Sequence, residues 1–325
     1  MNSTKSVIVY LARSSEEDVR DLCRSLTLLK KNFLRRFPYP VVVFVETSFR
    51  ETWKKELREG SKVNCRFETI EFCLPDFLDS AAIPEYVLQP KFKIGYRHMC
   101  RFFSGKIYDE PSLQGYKWYW RLDTDSFLLG KVKYDVFQLM EQKGCVYGYS
   151  AMSRDEPLVS AGLWELTKDY IEKRGIQPTF VYDYVPNGVW DRSYYYTNFE
   201  ISSFEFWRSK PARDYFNHVD RSGGIYQHRW GDTLIHTMTV GMFLPKAQTH
   251  RFTDIYYDHQ GAQNKPPDKI PYVRNFLKKV LRMSGKPGGK IKRLLLRIAE
   301  ILAPPPPDNF FKKIGRKFYK IGHKH

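Results

Sequence analysis

The chain has 325 residues, of which 42% are hydrophobic and 16% aromatic, a composition that excludes a disordered or collagen-like polymer and supplies a full core. Its formal charge of +17 is uneven: residues 272–325 hold 15 Lys/Arg against 2 Asp/Glu, so +13 sits in that tail and only +4 in residues 1–271. The body therefore reads as a nearly neutral globule rather than a nucleic-acid-binding one, and the tail as the basic object.

At the N-terminus the apolar run Val7–Ala12 is short and has no basic segment ahead of it, so it predicts neither a signal peptide nor a signal anchor. No apolar run anywhere approaches the roughly 18 residues of a membrane span. Ser6–Ala12 instead reads as a buried strand. Ser14 or Ser15, with Glu17 or Asp18 three residues on, forms a capping box for a helix of about 20 residues. Its apolar face is Val19, Leu22, Leu26, Leu29 and Phe33. Pro38 and Pro40 stop that helix, and Val41–Glu46 is a second apolar strand. Strand, helix and strand in this order predict a crossover unit in a parallel sheet. Val63–Phe72 is a third candidate strand, Tyr96–Ile107 a helix, and Tyr116–Leu122 a fourth strand. The five cysteines are scattered, odd in number and lack a C-x-x-C pair, so a reduced compartment is the simpler expectation.

The fourth strand runs into Asp123-Thr124-Asp125. If the strand continues, positions i and i+2 share a face and both carboxylates address one object. Two like charges that close are tolerated in solvent or around a cation, and a hard ion such as Mn²⁺ or Mg²⁺ takes one or two carboxylates plus substrate phosphates. The calcium-loop alternative fails, because Leu128 and Tyr134 stand where such a loop needs Gly and Glu. Ligand sites of open α/β sheets lie beyond the carboxyl ends of strands. Arg13, after the first strand, is there too, as a nucleotide contact or as an ordinary helix-start arginine.

From Val181 to Trp207 the chain is unusually aromatic; most of these rings predict core, and some could line a sugar groove. Glu200 lies between Phe199 and Ile201, and a carboxylate among apolar residues is paired, protonated or catalytic. An ion pair and a catalytic role both remain open at this point.

Five motifs follow one another in order: Tyr96-Arg97-His98-Met99-Cys100-Arg101-Phe102, Tyr119-Trp120-Arg121-Leu122-Asp123-Thr124-Asp125, Thr197-Asn198-Phe199-Glu200-Ile201, Arg229-Trp230-Gly231-Asp232 and Asp254-Ile255-x-Tyr257-x-His259. Together, over about Val7 to Gly261, they resemble the fungal α-1,2-mannosyltransferases of the Kre2/Mnt1 type, glycosyltransferase family 15. The resemblance implies an α/β fold of the GT-A type, GDP-mannose as donor, Mn²⁺ (Mg²⁺ as the alternative), a glycan or glycoprotein acceptor, and retention of anomeric configuration. It assigns the metal to Asp123, Asp125 and His259. The expected donor contacts are Asp123 and Asp125, with Arg13 from its place after the first strand. Glu200 takes the place of the candidate nucleophile, Asp232 that of a base or sugar-binding acid, and Tyr96 that of a contact to the acceptor or to Glu200. Asp123-Thr124-Asp125 replaces the family's more usual Glu-Pro-Asp, one methylene shorter at the first acid. His98, His218, His228 and His236 are expected to be structural.

In the tail, large aliphatics and phenylalanines recur at helical spacing among Lys and Arg over three short segments, which predicts surface helices at an anionic membrane in preference to a nucleic-acid arm. The expectation is therefore one GT-A domain, 1–271, and a basic amphipathic tail, 272–325. The protein would be cytoplasmic or peripheral to a membrane, although the family expectation is the Golgi lumen. Two alternatives stay open: the same fold with another nucleotide sugar, or an inactive basic scaffold.

Overall fold

Why the first half folds as it does is visible in its burial. Ser6–Ala12 (β1) and Val41–Glu46 (β2) are apolar runs buried on both faces, as strands covered by helices on both sides must be. Between them Glu16–Leu29 (α1) starts at Ser15, whose side chain accepts the backbone N–H of Asp18; the return half of the expected capping box is absent, because the Asp18 carboxylate accepts from Arg13 N–H instead. Its stripe of Val19, Leu22, Leu26 and Leu29 is buried, and the helix ends in a wider turn, Lys30–Leu34. Glu51–Ser61 (α2) then leads to Cys65–Ile70 (β3).

The computed structural model describes residues 5–88 and 91–264, all within one unit, Met1–Pro266. The predicted tail, 272–325, lies outside the described residues. Among the described residues no helix is long and apolar enough to cross a membrane.

The remaining strands are Trp118–Leu122 (β4), Ser126–Leu128 (β5), Tyr147–Tyr149 (β6), Met152–Arg154 (β7), Ser193–Tyr195 (β8), Phe199–Ser203 (β9), Thr249–Arg251 (β10), Tyr257–His259 (β11) and Ala262–Asn264 (β12). Seven of the twelve strands among the described residues form the main sheet, in the order β10-β6-β9-β4-β1-β2-β3. β1, β2, β3 and β4 are parallel, β9 runs antiparallel to both β4 and β6, and β10 is parallel to β6. The predicted α/β class with a parallel first half is what forms, with β9 as the reversed strand.

The sheet separates two cores. On one face Trp118, Trp120 and Leu122 of β4, with Phe199 and Ile201 of β9, join α1. On the other, Tyr119 and Tyr147 meet Phe102 and Phe103 of Ile94–Ser104 (α3) and Val240 of Asp232–Phe243 (α4), a helix with apolar residues all round that is buried accordingly. Strand alternation thus turns Arg121 and Glu200 toward this second layer. Most of the Val181–Trp207 aromatics are core, including Trp190, Tyr195, Phe204 and Trp207; Tyr182 is exposed.

The two acids differ from their expected strand placement. Asp123 and Asp125 do not share a face of a strand: β4 ends at Leu122, and Asp123–Asp125 is a tight turn closed by a hydrogen bond from Ser126 N–H to Asp123 C=O at 3.0 Å. The turn forms because Thr124 is drawn inward, buried beside Asp18, whose Oδ2 its hydroxyl approaches at 3.5 Å. That leaves both acids partly exposed.

Candidate active site

The turn after β4 sits at the carboxyl end of the central parallel strands, where the crevice of an open α/β sheet lies. A second, three-stranded sheet, β12-β11-β5, brings the third group there. β5 follows the turn directly, and β11 pairs with it antiparallel so that Ser126 lies opposite His259. His259 Nε2 consequently stands 3.1 Å from Asp125 Oδ1 and 3.9 Å from Asp123 Oδ2. One ligand atom from each of the three residues falls within 4.8 Å of the others.

Two carboxylates and an imidazole on a partly open surface are a donor set suited to Mn²⁺ or Mg²⁺, so these residues fit the ion that the motif set implies. Their electrostatics agree with that reading. Burial works against the charge of Asp125, but the hydrogen bond and charge of His259 and the Gln260 amide, 2.9 Å from Oδ2, hold its carboxyl below the usual range. Burial likewise disfavours the imidazolium of His259, yet the bond to Asp125 and the charges of both acids raise its pKa.

Asp123 is aimed by Arg121. This guanidinium is buried, lies 3.4 Å from the centre of the Phe103 ring, and donates from Nε to Asp123 Oδ1 at 3.1 Å. Its Nη1 donates to Asp232 Oδ2. Burial penalises the Arg121 cation, but Asp123, Asp232 and Glu200 together outweigh that penalty and raise its pKa. Asp232, at the start of α4, also accepts from the Thr197 hydroxyl at 2.6 Å. Burial would push its carboxyl up; Arg121, His236 and Thr197 more than reverse this and hold it low. It is a committed anion and a poor base.

Glu200 is fully buried. One oxygen accepts from the Tyr119 hydroxyl; the other accepts from Tyr147 at 2.7 Å and lies 2.8 Å from His236 Nδ1. The structure therefore sets Glu200 behind the second layer and does not bring it to the open surface that carries Asp123, Asp125 and His259. Of the two possibilities left by the sequence, its surroundings are those of a paired, hydrogen-bonded carboxylate.

Tyr96 lies on α3, ring packed against Phe92 at 4.9 Å with the Arg229 guanidinium 5.5 Å from its centre. The residue is 40% exposed; desolvation, Cys100, Asp232 and Asp123 raise its pKa against the opposing pull of Arg229. It is a proton donor at neutral pH. Arg13, at the end of β1, is exposed but bound to Asp18, donating from Nε to Oδ1 at 2.9 Å and from its backbone N–H to Oδ2 at 3.0 Å. It is thus a helix-start arginine in contact with Asp18 in the first turn of α1, near enough to Asp125 to feel its charge.

Sequence reasoning missed Arg121, which was readable as a cation inside an aromatic strand two residues before an acid. His236, expected to be structural, is a buried partner of Glu200 and of the Phe103 carbonyl; the other Glu200 partners, Tyr119 and Tyr147, were missed, and no local signal exists for them.

Residues 1–276 match the family model described as glycolipid 2-alpha-mannosyltransferase. The glycolipid 2-alpha-mannosyltransferase of Saccharomyces cerevisiae is 29% identical over 83% of this chain, and glycolipid 2-alpha-mannosyltransferase 1 of Candida albicans 31% over 82%. The chain spans 64% of the length of each of these relatives. Among solved structures, core-mannan synthase A of Aspergillus fumigatus, in its Mn/GDP form, superposes with a TM-score of 0.76 at 28% identity, covering 82% of this chain and 77% of the other. Mannosyltransferase Ktr4p of S. cerevisiae, in complex with GDP, gives 0.74 at 27%, covering 81% and 73%. The fold is the GT-A type that the motifs implied, and the chain belongs to the glycolipid 2-alpha-mannosyltransferase family, glycosyltransferase family 15.

Proposed function

We propose that this protein is a retaining, cation-dependent mannosyltransferase that moves mannose from GDP-mannose to a glycan hydroxyl, forming an α-1,2 linkage. The observation that carries the proposal is the convergence of Asp123, Asp125 and His259 within 4.8 Å at the end of β4. Family membership and the GDP and Mn in the relatives' crystals support the choice of donor and ion. A divalent cation held by these three side chains would neutralise charge on the departing diphosphate.

The chain's own residues supply the rest. Arg121 fixes one oxygen of Asp123 and thereby leaves the other for the cation. Arg13 borders the donor end of the crevice. Tyr96, protonated and half exposed, donates a hydrogen bond to the acceptor sugar, while Asp232 keeps the Arg121 guanidinium in place. Retention has two routes: attack by an enzyme carboxylate, or front-face attack by the acceptor itself. The sealed environment of Glu200 favours the second, with Glu200, held by Tyr119, Tyr147 and His236, stabilising developing charge and not attacking. In that role its charge favours the developing oxocarbenium ion through space.

The test is nucleotide release from a panel of nucleotide sugars with and without Mn²⁺. GDP release that needs both GDP-mannose and the ion is expected. Release with a different sugar nucleotide would change the donor, and no release with any would leave the scaffold reading. For the tail we propose peripheral attachment to an anionic membrane. Deleting residues 272–325 should abolish sedimentation with phosphatidylserine vesicles while leaving GDP release intact; unchanged sedimentation would reject attachment through the tail.

A further inference from the structure

Behind His259 lies a polar cluster that none of the roles above uses. Its Nδ1 is 3.1 Å from Nδ2 of Asn198, a residue buried to 7% exposure. Asn198 Oδ1 in turn accepts from the Tyr257 hydroxyl at 2.9 Å. That hydroxyl is also 2.9 Å from the Asn198 carbonyl and 2.7 Å from Ser126 Oγ. Ser126 Oγ donates to the same carbonyl at 3.0 Å and accepts the backbone N–H of Asp123 at 3.1 Å. The cluster thus joins the imidazole to the turn bearing both acids.

We propose that Asn198 is the positioning residue of the candidate cation site, its carboxamide deciding whether His259 offers Nε2 to the carboxylates as an N–H donor or to a cation as a lone pair. An amide nitrogen can only donate, so Nδ1 facing it must accept. In the neutral ring the proton then sits on Nε2, which points at Asp125 and Asp123. A protonated ring nitrogen has no lone pair for a metal. Coordination through Nε2 requires the proton on Nδ1, and that N–H requires an acceptor.

Rotating the Asn198 carboxamide by half a turn supplies one. Oδ1 then accepts from Nδ1–H, and Nδ2 donates to the Tyr257 oxygen. The Tyr257 hydrogen moves to Ser126 Oγ, which still donates to the Asn198 carbonyl and still accepts from Asp123 N–H. Every polar group remains paired in both arrangements, so the switch leaves no buried donor or acceptor orphaned. Neither a carboxylate nor an apolar side chain could serve both states. Asparagine can, because it carries a donor and an acceptor of the same shape.

The inference rests on the reading that Asp123, Asp125 and His259 bind a divalent cation, and the test separates the two. First, the tautomer of His259 is read from ¹⁵N shifts of histidine-labelled protein, assigned by comparison with His259→Gln, at a pH high enough that the shifts no longer change and the ring is neutral, above the ordinary imidazole range because both acids raise its pKa. Without cation the wild type should carry the proton on Nε2, and Asn198→Asp, which can only accept, should carry it on Nδ1. Second, Mn²⁺ binding is followed by the loss of the free-ion paramagnetic resonance signal. Asn198→Asp should bind about tenfold more tightly and Asn198→Leu about tenfold more weakly, the size of change that a partner of a ligating histidine commonly produces. A wild-type ring already protonated on Nδ1 without cation, or equal Mn²⁺ affinity in all three proteins, overturns the role of Asn198. No Mn²⁺ binding by the wild type would instead remove the cation site. The Asp and wild-type comparison stands even if the Leu variant does not fold.

Discussion

Ser126 and His259 face each other across the β5–β11 pairing, and this one register pair sets an imidazole beside a turn that lies far from it in the chain. Shifting a strand by one residue reverses every side chain on it. A slip here would turn His259 away from Asp125 and bring Asp258 or Gln260 to its position. Tyr257, buried beside His259 on the central strand of this sheet and hydrogen-bonded to Ser126 and Asn198, holds that register.

Removing the imidazole tests that dependence. His259→Ala should weaken Mn²⁺ binding by at least about tenfold and reduce GDP release in step. Calorimetric titration of Mn²⁺ into the wild type and the variant checks it. Equal affinity would mean that the two carboxylates act without the ring.

Glu200→Gln distinguishes the two retaining routes. The amide replaces one acceptor oxygen by a donor facing tyrosine hydroxyls or His236, so a loss of about 1–3 kcal/mol of stability is expected from the unpaired group. With front-face attack the folded variant keeps measurable transfer, and mass spectrometry of wild type incubated with a slow fluorinated donor finds no mannosyl adduct on Glu200. An adduct on that residue would restore the nucleophile role.

Asp232 carries a pH signature. Its carboxyl is held below the ordinary value because, although burial works against the charge, Arg121 prevails. The stabilisation is therefore fully present above the unfolded value, near ~3.9, and is lost as pH falls through the lower folded one. Asp232→Asn leaves the buried Arg121 without this partner, at a cost of about 3 kcal/mol. Denaturant unfolding should show the gap between wild type and variant at pH 7 and its narrowing toward pH 3. A constant gap would rule out the charge as its origin.

Tyr96→Phe removes a proton donor from the half-exposed ring and leaves the contacts with Phe92 and Arg229. Acceptor KM should rise about three- to tenfold, the range of one neutral hydrogen bond, with the KM for GDP-mannose and the melting temperature unchanged. Steady-state kinetics with an oligomannose acceptor provides the readout. A change in donor KM alone would move Tyr96 out of the acceptor site.

By itself the sequence determined the local layer of this protein. β1, α1 and β2 were legible because apolar runs, the Ser15 cap and the 3.6-residue stripe each act over one turn or one strand. Asp123, Asp125 and His259 were named from ordered motifs, yet the reason first given for the two acids, strand alternation, was not the one that operates: a turn presents them. Tertiary structure alone decided which distant groups meet. It set Arg121 between Asp123 and Asp232, enclosed Glu200 with Tyr119, Tyr147 and His236, and backed His259 with Asn198. Those relations follow from strand order, register and helix packing across the sheet. They depend on the relative placement of segments that no short window of sequence contains.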